Sequence, residues 1–330
     1  MQEDQTTSTS DSRASAEAAV RARLDELHCP IDERIPCDLA TLFPKLQGWG
    51  AKKDIKRRAK LLNRIAPQLA AMLSEHEEVH YVAKGVRYKF SEHYFLGIWA
   101  GSINHTVFVL TNARLIMMHT KSSGVVKNTF WMVYYSQIED VKVNWTGSMT
   151  TLKLSDRKKL SFAGFPKTDR IRMPDLIRES IAHYDEVGFA PEVSQSQENL
   201  CSTCYQIVPV TQFDCKHCDT AFWKPSEIAI RSLIFPSWGD FLMKHYTLAF
   251  VELFGTAIAW LVAFFMLASA GVFGGPAIDI GGVIAAIVVL GFVHVPDAWL
   301  TYYIANKGLH PKDIPSASES AIRLEASLKN

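Results

Sequence analysis

The sequence has almost no excess of charge of either sign. Its 330 residues include 35 lysines and arginines and 34 aspartates and glutamates, which gives a net charge of +1. Proteins whose main partner is nucleic acid usually carry a clear positive excess, because contacts to phosphate dominate that binding. The balance therefore disfavours nucleic acid as the principal partner, although local basic patches stay open.

The N-terminus lacks the apolar stretch of a cleavable secretion signal. Residues 1–21 are rich in Ser, Thr, Gln and Glu and contain no hydrophobic run. Without such a signal, we expect the six cysteines to be reduced thiols in a cytoplasmic compartment.

The usual motifs of catalysis are also missing. Serine, histidine and aspartate residues are scattered without a G-x-S-x-G elbow. No glycine-rich phosphate loop and no open metal site is apparent in the sequence. We therefore predict that the protein is not an enzyme.

What the sequence does have is two closely spaced cysteine pairs. Cys201, Cys204, Cys215 and Cys218 follow the pattern C-x2-C-x10-C-x2-C. Two intervening residues let both thiolates of a pair approach one ion, and ten residues suffice for a hairpin that joins the pairs. The pattern resembles a short zinc ribbon, predicted over 200–223, in which four protein ligands make the Zn²⁺ structural. A rubredoxin-like iron site and a redox dithiol are the alternatives.

Two long apolar runs follow the cysteines. Residues 253–275 carry no charge, and this length is enough to cross about 30 Å of hydrocarbon. We predict transmembrane helices at about 247–272 and 277–296, within a membrane segment 226–305 that begins with an interfacial helix. A buried helical hairpin of a soluble domain is the alternative.

The charges around these runs predict their orientation. The connecting loop carries Asp279 but no lysine or arginine, whereas basic residues flank both runs on the outer side: Lys224, Arg231, Lys244, Lys307, Lys312, Arg323 and Lys329. The positive-inside rule therefore predicts a multi-pass protein of the inner membrane with both termini in the cytoplasm. Glu252 and His294 fall at similar depth in such a hairpin, which makes them a candidate intramembrane polar pair. Snorkelling to the interface is the alternative.

Residues 76–188 have the pattern of an antiparallel β domain. About seven short strands separated by turn signals are followed by a helix at about 168–184. This predicts an α+β fold, a small barrel or sandwich closed by a helix. The flanking segments are a disordered tail, a helical segment, a linker and a cytoplasmic tail, over 1–15, 16–75, 189–199 and 306–330.

Three motifs in the β region resemble bacterial pleckstrin-homology-like (PH-like, YokE/GRAM-type) domains. Residues 109–116, VLTNARLI, resemble the LTN-x-RL strand–turn–strand of these families. Residues 135–141, YSQIEDV, resemble the strand that follows, and residues 152–162 fit the last hairpin. The resemblance implies a PH-like fold, and that fold serves lipid binding, peptide binding and purely structural roles.

Basic side chains near these elements are candidate ligands for anionic lipid. The segment 52–60 contains six basic residues and one acidic residue, on a predicted helix. A solvated helix face is the alternative for this segment, and a cross-link between strands is the alternative for Arg114. The candidate set is Lys52, Lys53, Lys56, Arg57, Arg58, Lys84, Arg87, Lys89 and Arg114.

These features together predict a multi-domain, non-enzymatic scaffold or adaptor anchored in the membrane. It would present a PH-like domain and a zinc ribbon at the cytoplasmic face. Expected partners are membrane lipids and either another membrane or cytoplasmic protein or a second copy of the chain. The alternatives are a tethered nucleic-acid-binding or regulatory module, and an accessory subunit of a membrane enzyme or transporter in which Glu252 and His294 act.

Overall fold

A computed structural model describes residues 4–89, 92, 94, 97–275 and 277–313. The chain forms two compact units, of which the first runs to Cys218 and the second begins at Asp219. Pro276, in the predicted turn between the apolar runs, and 314–330, in the predicted tail, lie outside the described residues.

Three helices precede the first strand: α1 (Asp4–Glu26), α2 (Leu39–Leu42) and α3 (Ala51–Met72). Helix α1 begins inside the stretch 1–15, for which a disordered tail is predicted from the sequence. Arg13 Nε donates to Glu17 Oε1 at 3.2 Å across one helical turn, which supports helix in this polar stretch.

The first unit is built on an antiparallel sheet in the order β5-β6-β7-β1-β2-β3-β4-β8-β9. Helix α4 (Ile98–Ile103) lies between the first two strands, and helix α5 (Lys167–Val187) follows the seventh. A sheet followed by a helix confirms the predicted α+β character of this region. The strands are β1 (Val79–Tyr88), β2 (His105–Thr111), β3 (Arg114–Thr120), β4 (Val126–Tyr134), β5 (Ile138–Val143), β6 (Met149–Leu154), β7 (Lys159–Ala163), β8 (Glu198–Leu200) and β9 (Ile207–Val208).

Both faces of the central strands are covered. Phe108 points into a core shared with α5, while its neighbours Val107 and Val109 point into a core shared with α1, α2 and α3. Strands β2 and β3 are therefore buried along almost their whole length. The N-terminal helices share a core with the sheet.

A buried ionic network joins α3 to α5. Asp169 is fully buried and accepts hydrogen bonds from Arg57 Nη1 at 2.8 Å, Arg58 Nη2 at 2.8 Å and the Tyr81 hydroxyl at 2.9 Å. Arg58 also donates to the Leu42 carbonyl at 2.6 Å. Because two arginines and a tyrosine donate to the Asp169 carboxylate, protein groups rather than solvent satisfy its hydrogen bonds.

The cysteine region is attached to the edge of this sheet. Strand β8 pairs with β4, with Leu200 opposite Phe130, and β9 then pairs with β8. The end of the segment predicted as a linker, 189–199, is therefore a sheet strand. The cysteine module and the sheet belong to one unit.

The second unit is helical, and two of its helices are long and apolar. The most apolar 18-residue windows of α8 and α9 have mean hydropathies of 2.1 and 2.0, and only 11% of each window is buried. A buried hairpin of a soluble domain would be covered by protein, so that alternative does not describe these helices. The helices are α6 (Pro225–Ile234), α7 (Trp238–Leu242), α8 (Tyr246–Ser269) and α9 (Ile280–Ala305).

Gly239 allows a close approach between α7, α6 and α9. A Cβ at this position would overlap the Thr301 side chain and lie 2.7 Å from Ser232 Oγ and 2.8 Å from Ile228 Cγ2. Only glycine fits between these three side chains. The short helix α7 is thereby held against the two helices that flank it.

Candidate functional site

The four cysteines predicted to form a metal site lie together. Cys201 Sγ is 3.5 Å from Cys218 Sγ, and Cys204 Sγ is 3.5 Å from Cys215 Sγ. All four sulfurs lie within 4.8 Å of one another. Sulfur ligands of a tetrahedral zinc site are about 3.8 Å apart, because Zn–S bonds are about 2.3 Å long. This group of four sulfurs can hold a metal ion.

The local structure supports this cysteine cluster. The hydrogen bond between Cys201 and Cys204 is the main cause that lowers the pKa of Cys201 and raises that of Cys204, so Cys201 is the first of this pair to ionise. Tyr205, which follows Cys204 with a positive φ of 59°, packs edge-on against Phe130 of β4 at 5.4 Å. This ring contact fixes the first cysteine turn to the sheet.

A basic cavity of about 380 Å³ lies in the first unit, between α3 and the strands β1 and β2. Arg57, Lys60 and Arg64 project from α3 at spacings of three and four residues, so they share one helix face. Lys84 of β1 and His105 of β2 line the opposite wall. No carboxylate is among the described residues that line this cavity.

The turn between β3 and β4 closes one side of the cavity. Lys84 Nζ donates to the Ser122 carbonyl, and Arg64 Nη1 donates to the Ser123 carbonyl. Gly124 has a φ of +85°, which a glycine adopts without strain, and it lies against the Arg64 side chain. Two of the cationic side chains are thus held in place by backbone carbonyls, which leave their charge uncompensated.

Burial and neighbouring positive charge lower the pKa values of two titratable groups in the cavity. Burial, and then the neighbouring Arg64, lower the pKa of Lys84. Burial lowers the pKa of His105, and the charges of Lys84 and Lys127 lower it further. His105 Nδ1 is buried without a hydrogen-bond partner. An anion in the cavity would relieve both the repulsion and the missing contact.

The structure divides the predicted anion-binding residues into two groups. Of the nine candidates, only Arg57 and Lys84 line the cavity. Lys52, Lys53 and Lys56 are exposed on α3, and Lys89 is exposed after β1. These four side chains lie outside the cavity wall.

The remaining candidates belong to internal contacts. Arg58 is 2% exposed within the Asp169 network and does not reach the surface. Arg114 forms a two-pronged ion pair with Glu77, at 2.9 and 2.8 Å, and donates to the Met72 carbonyl. These contacts tie the start of β3 to the end of α3 and the loop that follows it, rather than one strand to another.

Arg87 is used in a similar way. Its Nη2 donates to Gln197 Oε1 at 2.9 Å, and its guanidinium lies 5.2 Å from the centre of the Trp131 ring. Arg87 therefore contacts the segment that leads into β8.

The predicted pair of Glu252 and His294 is not formed. His294 Nε2 accepts from Trp260 Nε1 at 3.0 Å, and its Nδ1 lies 2.7 Å from the Leu233 carbonyl oxygen, so it joins α6, α8 and α9. Glu252 instead clusters with Asp240 and Asp297. The sequence predicts both residues at one depth of the hairpin. In the structure, however, α6 contributes a partner to His294 and α7 contributes a partner to Glu252.

Sequence reasoning missed several residues of these sites. Lys60 and Arg64 follow Arg57 at helical spacings of three and four residues, and this periodicity in the sequence places all three on one helix face. His105 lines the cavity because it pairs with Val86 in the register of β1 and β2. No local sequence pattern predicts that pairing. Asp240 and Asp297 lie beside or within apolar runs and were not recognised as partners of Glu252.

The antiparallel sheet and its C-terminal helix are consistent with a PH-like domain in the first unit. Residues 73–178 match the family described as "Bacterial PH domain". No curated protein matches the chain. The YokE/GRAM subtype stays a prediction.

Solved structures similar to the chain are distant. The C-terminal domain of an unknown protein from Leishmania infantum is 12% identical over 36% of this chain and 92% of that chain, with a TM-score of 0.25. A structure of Vav1 inhibited by an allosteric inhibitor is 10% identical over 63% of this chain and 58% of that chain, with a TM-score of 0.24. Neither similarity contributes to the assignment of function.

Proposed function

We propose that the protein is a non-enzymatic, membrane-anchored adaptor whose PH-like unit binds the phosphate group of an anionic lipid. The observation that carries this proposal is the basic cavity between α3 and β1–β2. Its lining includes four basic side chains and His105, its described lining has no carboxylate, and its volume suits a phosphorylated headgroup. PH-like domains generally act in binding rather than catalysis.

The second unit supplies the membrane anchor in this proposal. Helices α8 and α9 have 24 and 26 residues, are predominantly apolar and leave most of their surface uncovered by protein. The distribution of lysine and arginine around them favours a cytoplasmic location for both flanks. The PH-like unit would then meet the lipid headgroups of the same leaflet.

The lipid-binding proposal can be tested with the full-length protein in phosphatidylcholine nanodiscs. The probe is soluble dioctanoyl phosphatidylglycerol, followed by calorimetry at two salt concentrations, with dioctanoyl phosphatidylcholine as the uncharged comparison. We expect the double variant Lys60→Gln/Lys84→Gln to bind about tenfold or more weakly, and the wild-type affinity to fall with salt. Lys52→Gln/Lys53→Gln, on the same helix outside the cavity, is the matched control and should bind as the wild type does.

Glycerol phosphate separates a free phosphate ligand from a lipid ligand. Equal affinity for glycerol phosphate and the lipid would indicate that the headgroup phosphate alone is recognised. Binding that is weakened equally by the cavity variant and its control would refute the cavity as the site.

We also propose that the cysteine cluster holds a structural Zn²⁺. Four thiolate ligands prefer zinc or iron and leave no position for a substrate. Elemental analysis of the purified full chain should find one zinc per chain, and Cys204→Ser should lose it, whereas Cys29→Ser should retain it. An iron chromophore, or metal retained by Cys204→Ser, would contradict this assignment.

A further inference from the structure

Three carboxylates from three helices meet in the second unit. Asp240 lies on α7, Glu252 on α8 and Asp297 on α9, and one carboxylate oxygen of each lies within 4.8 Å of the others. Asp240 is fully buried and Asp297 is 8% exposed. Such a concentration of acidic groups beside two apolar helices is costly without a compensating charge.

The hydrogen bonds of the cluster are incomplete. His245 Nδ1 lies 3.3 Å from Asp240 Oδ1, and the Ser237 amide donates to Asp297 Oδ2 at 3.0 Å. One oxygen of each carboxylate is buried and has no hydrogen-bond partner, namely Asp240 Oδ2, Glu252 Oε2 and Asp297 Oδ1. A single proton would give one of these oxygens a donor, whereas a metal ion can contact all three.

The neutral hydroxyl of Ser237 also lacks a hydrogen-bond partner. Ser237 is fully buried, and its hydroxyl oxygen has no hydrogen-bond partner although its amide contacts Asp297. Ser237 also has a positive φ of 71°, which a serine adopts at some cost. The residue that donates its amide to Asp297 thus also has a buried hydroxyl without a partner, which together with the three unpaired carboxylate oxygens indicates a missing ligand that oxygen atoms contact.

The surrounding packing makes this a rigid site. Gly239 precedes Asp240 and lets α7 approach Ser232 and Thr301, whose hydroxyl oxygens are 3.2 Å apart. Ser232 Oγ also accepts from the Gly239 amide at 2.9 Å. Asp240 is therefore held in position by contacts to α6 and α9 that do not involve the carboxylates.

We propose that Asp240, Glu252 and Asp297 bind a divalent metal cation of the oxygen-preferring class that includes Mg²⁺, Mn²⁺ and Ca²⁺. Such ions take carboxylate oxygens at about 2.0–2.6 Å, so ligands on opposite sides are roughly 4–5 Å apart. The three oxygens of the cluster lie within 4.8 Å of one another, close enough to share one such ion. The ion would join α7 to both long helices, a role separate from lipid binding by the first unit.

The test uses the full-length, zinc-loaded protein in phosphatidylcholine nanodiscs, with Mn²⁺ as the probe. Free Mn²⁺ is followed by electron paramagnetic resonance, and Mg²⁺ and Ca²⁺ are added as competitors. We expect saturable binding of one Mn²⁺ per chain, weakened at least tenfold in Asp240→Asn and in Asp297→Asn. Asp279→Asn is the matched control, because Asp279 caps the other end of α9 and asparagine preserves a cap.

Thermal unfolding separates loss of the ion from loss of the fold. Mn²⁺ should raise the Tm of the wild type and leave that of Asp297→Asn unchanged, because only a ligand of the native state stabilises it. Zinc content and elution volume check that each variant is folded. Absence of saturable binding of all three ions to the folded wild type, or equal Mn²⁺ binding by the wild type and the two triad variants, would overturn the proposal.

Discussion

At the scale of single residues, the molecule uses arginine mainly for internal connection. Arg58 joins α3 to α5, and Arg114 joins β3 to the loop after α3, each through a buried carboxylate. Guanidinium groups suit this role, because they remain charged and can serve several acceptors at once. At the cavity, by contrast, Lys84 and Arg64 contact backbone carbonyls, which carry no compensating charge.

We expect Arg58→Met to destabilise the protein strongly. The substitution leaves Asp169 buried with one of its two arginine partners, and breaking a buried ion pair typically costs about 3–5 kcal/mol. Urea unfolding of the full chain, followed by the fluorescence of the first unit, measures the change. Arg34→Met removes an exposed pair with Asp32 and should leave the midpoint unchanged; a similar loss in both variants would contradict a special role for Arg58.

Anion binding should strengthen as the pH falls from about 7.5 to 5.5. The pKa of His105 is below its ordinary value in the free protein, so the ring is neutral at pH 7. A bound phosphate raises that pKa, so binding takes up a proton and improves at lower pH, by up to tenfold per unit of pKa change.

The measurement is the affinity for dioctanoyl phosphatidylglycerol at several pH values, since its phosphodiester keeps a constant charge. His105→Gln is the control and should bind with little pH dependence in this range. An affinity that falls toward low pH, or an unchanged profile in His105→Gln, would rule out this role for His105.

At the scale of elements, the second unit depends on close packing around a short helix. Helix α7 has five residues and cannot be stable alone, so its position is set by its neighbours. The contact at Gly239 provides that position. The helix–helix approach therefore determines where Asp240 lies.

We expect Gly239→Ala to destabilise the second unit by about 1–3 kcal/mol, because the added methyl group overlaps Thr301 and overpacks the contact. Thermal unfolding in mild detergent measures the effect. Gly255→Ala is the control, since no atom lies within 4 Å of its Cβ position, and its Tm should be unchanged or slightly higher. Equal Tm values for the two variants would contradict the packing described.

The elements that the sequence predicted are those with a strong local pattern. The strands from β1 to β7 either alternate polar and apolar residues or are continuously apolar between turns. The spacing of the cysteines alone is sufficient to predict a cluster of a size that fits one metal ion. Strand β8 has three residues and exists because β4 provides a partner, so no periodicity indicates it. The role of Arg58 also escaped prediction, because Asp169 lies 111 positions away in the sequence.

At the scale of the whole molecule, the two units differ in the surface they offer. The first buries its apolar side chains between a sheet and helices on both faces, whereas the second leaves large apolar side chains exposed along α8 and α9. An aqueous protein rarely exposes so much contiguous apolar surface. This contrast agrees with the proposed roles of the first unit in binding and of the second in membrane anchoring.

The predicted topology can be tested with short epitope tags. A tag inserted after Gly274 should be reached by antibody only from outside the inner membrane, and a tag after Asn330 only from inside, because lysine and arginine flank the hairpin on that side. Tags that report the opposite sides, or the same side, would contradict the hairpin topology. Retained zinc content shows that each tagged protein is folded.

The pairing of β8 with β4 has a consequence for the fate of the protein when metal is scarce. Strand β8 leads directly into Cys201, so release of the ion would loosen the strand that covers the outer edge of β4. That edge contains Phe130, Trp131 and Met132, and an uncovered apolar edge readily recruits strands from other chains. Metal supply would then govern aggregation and turnover, because the cysteine module keeps β8 paired along the edge of β4.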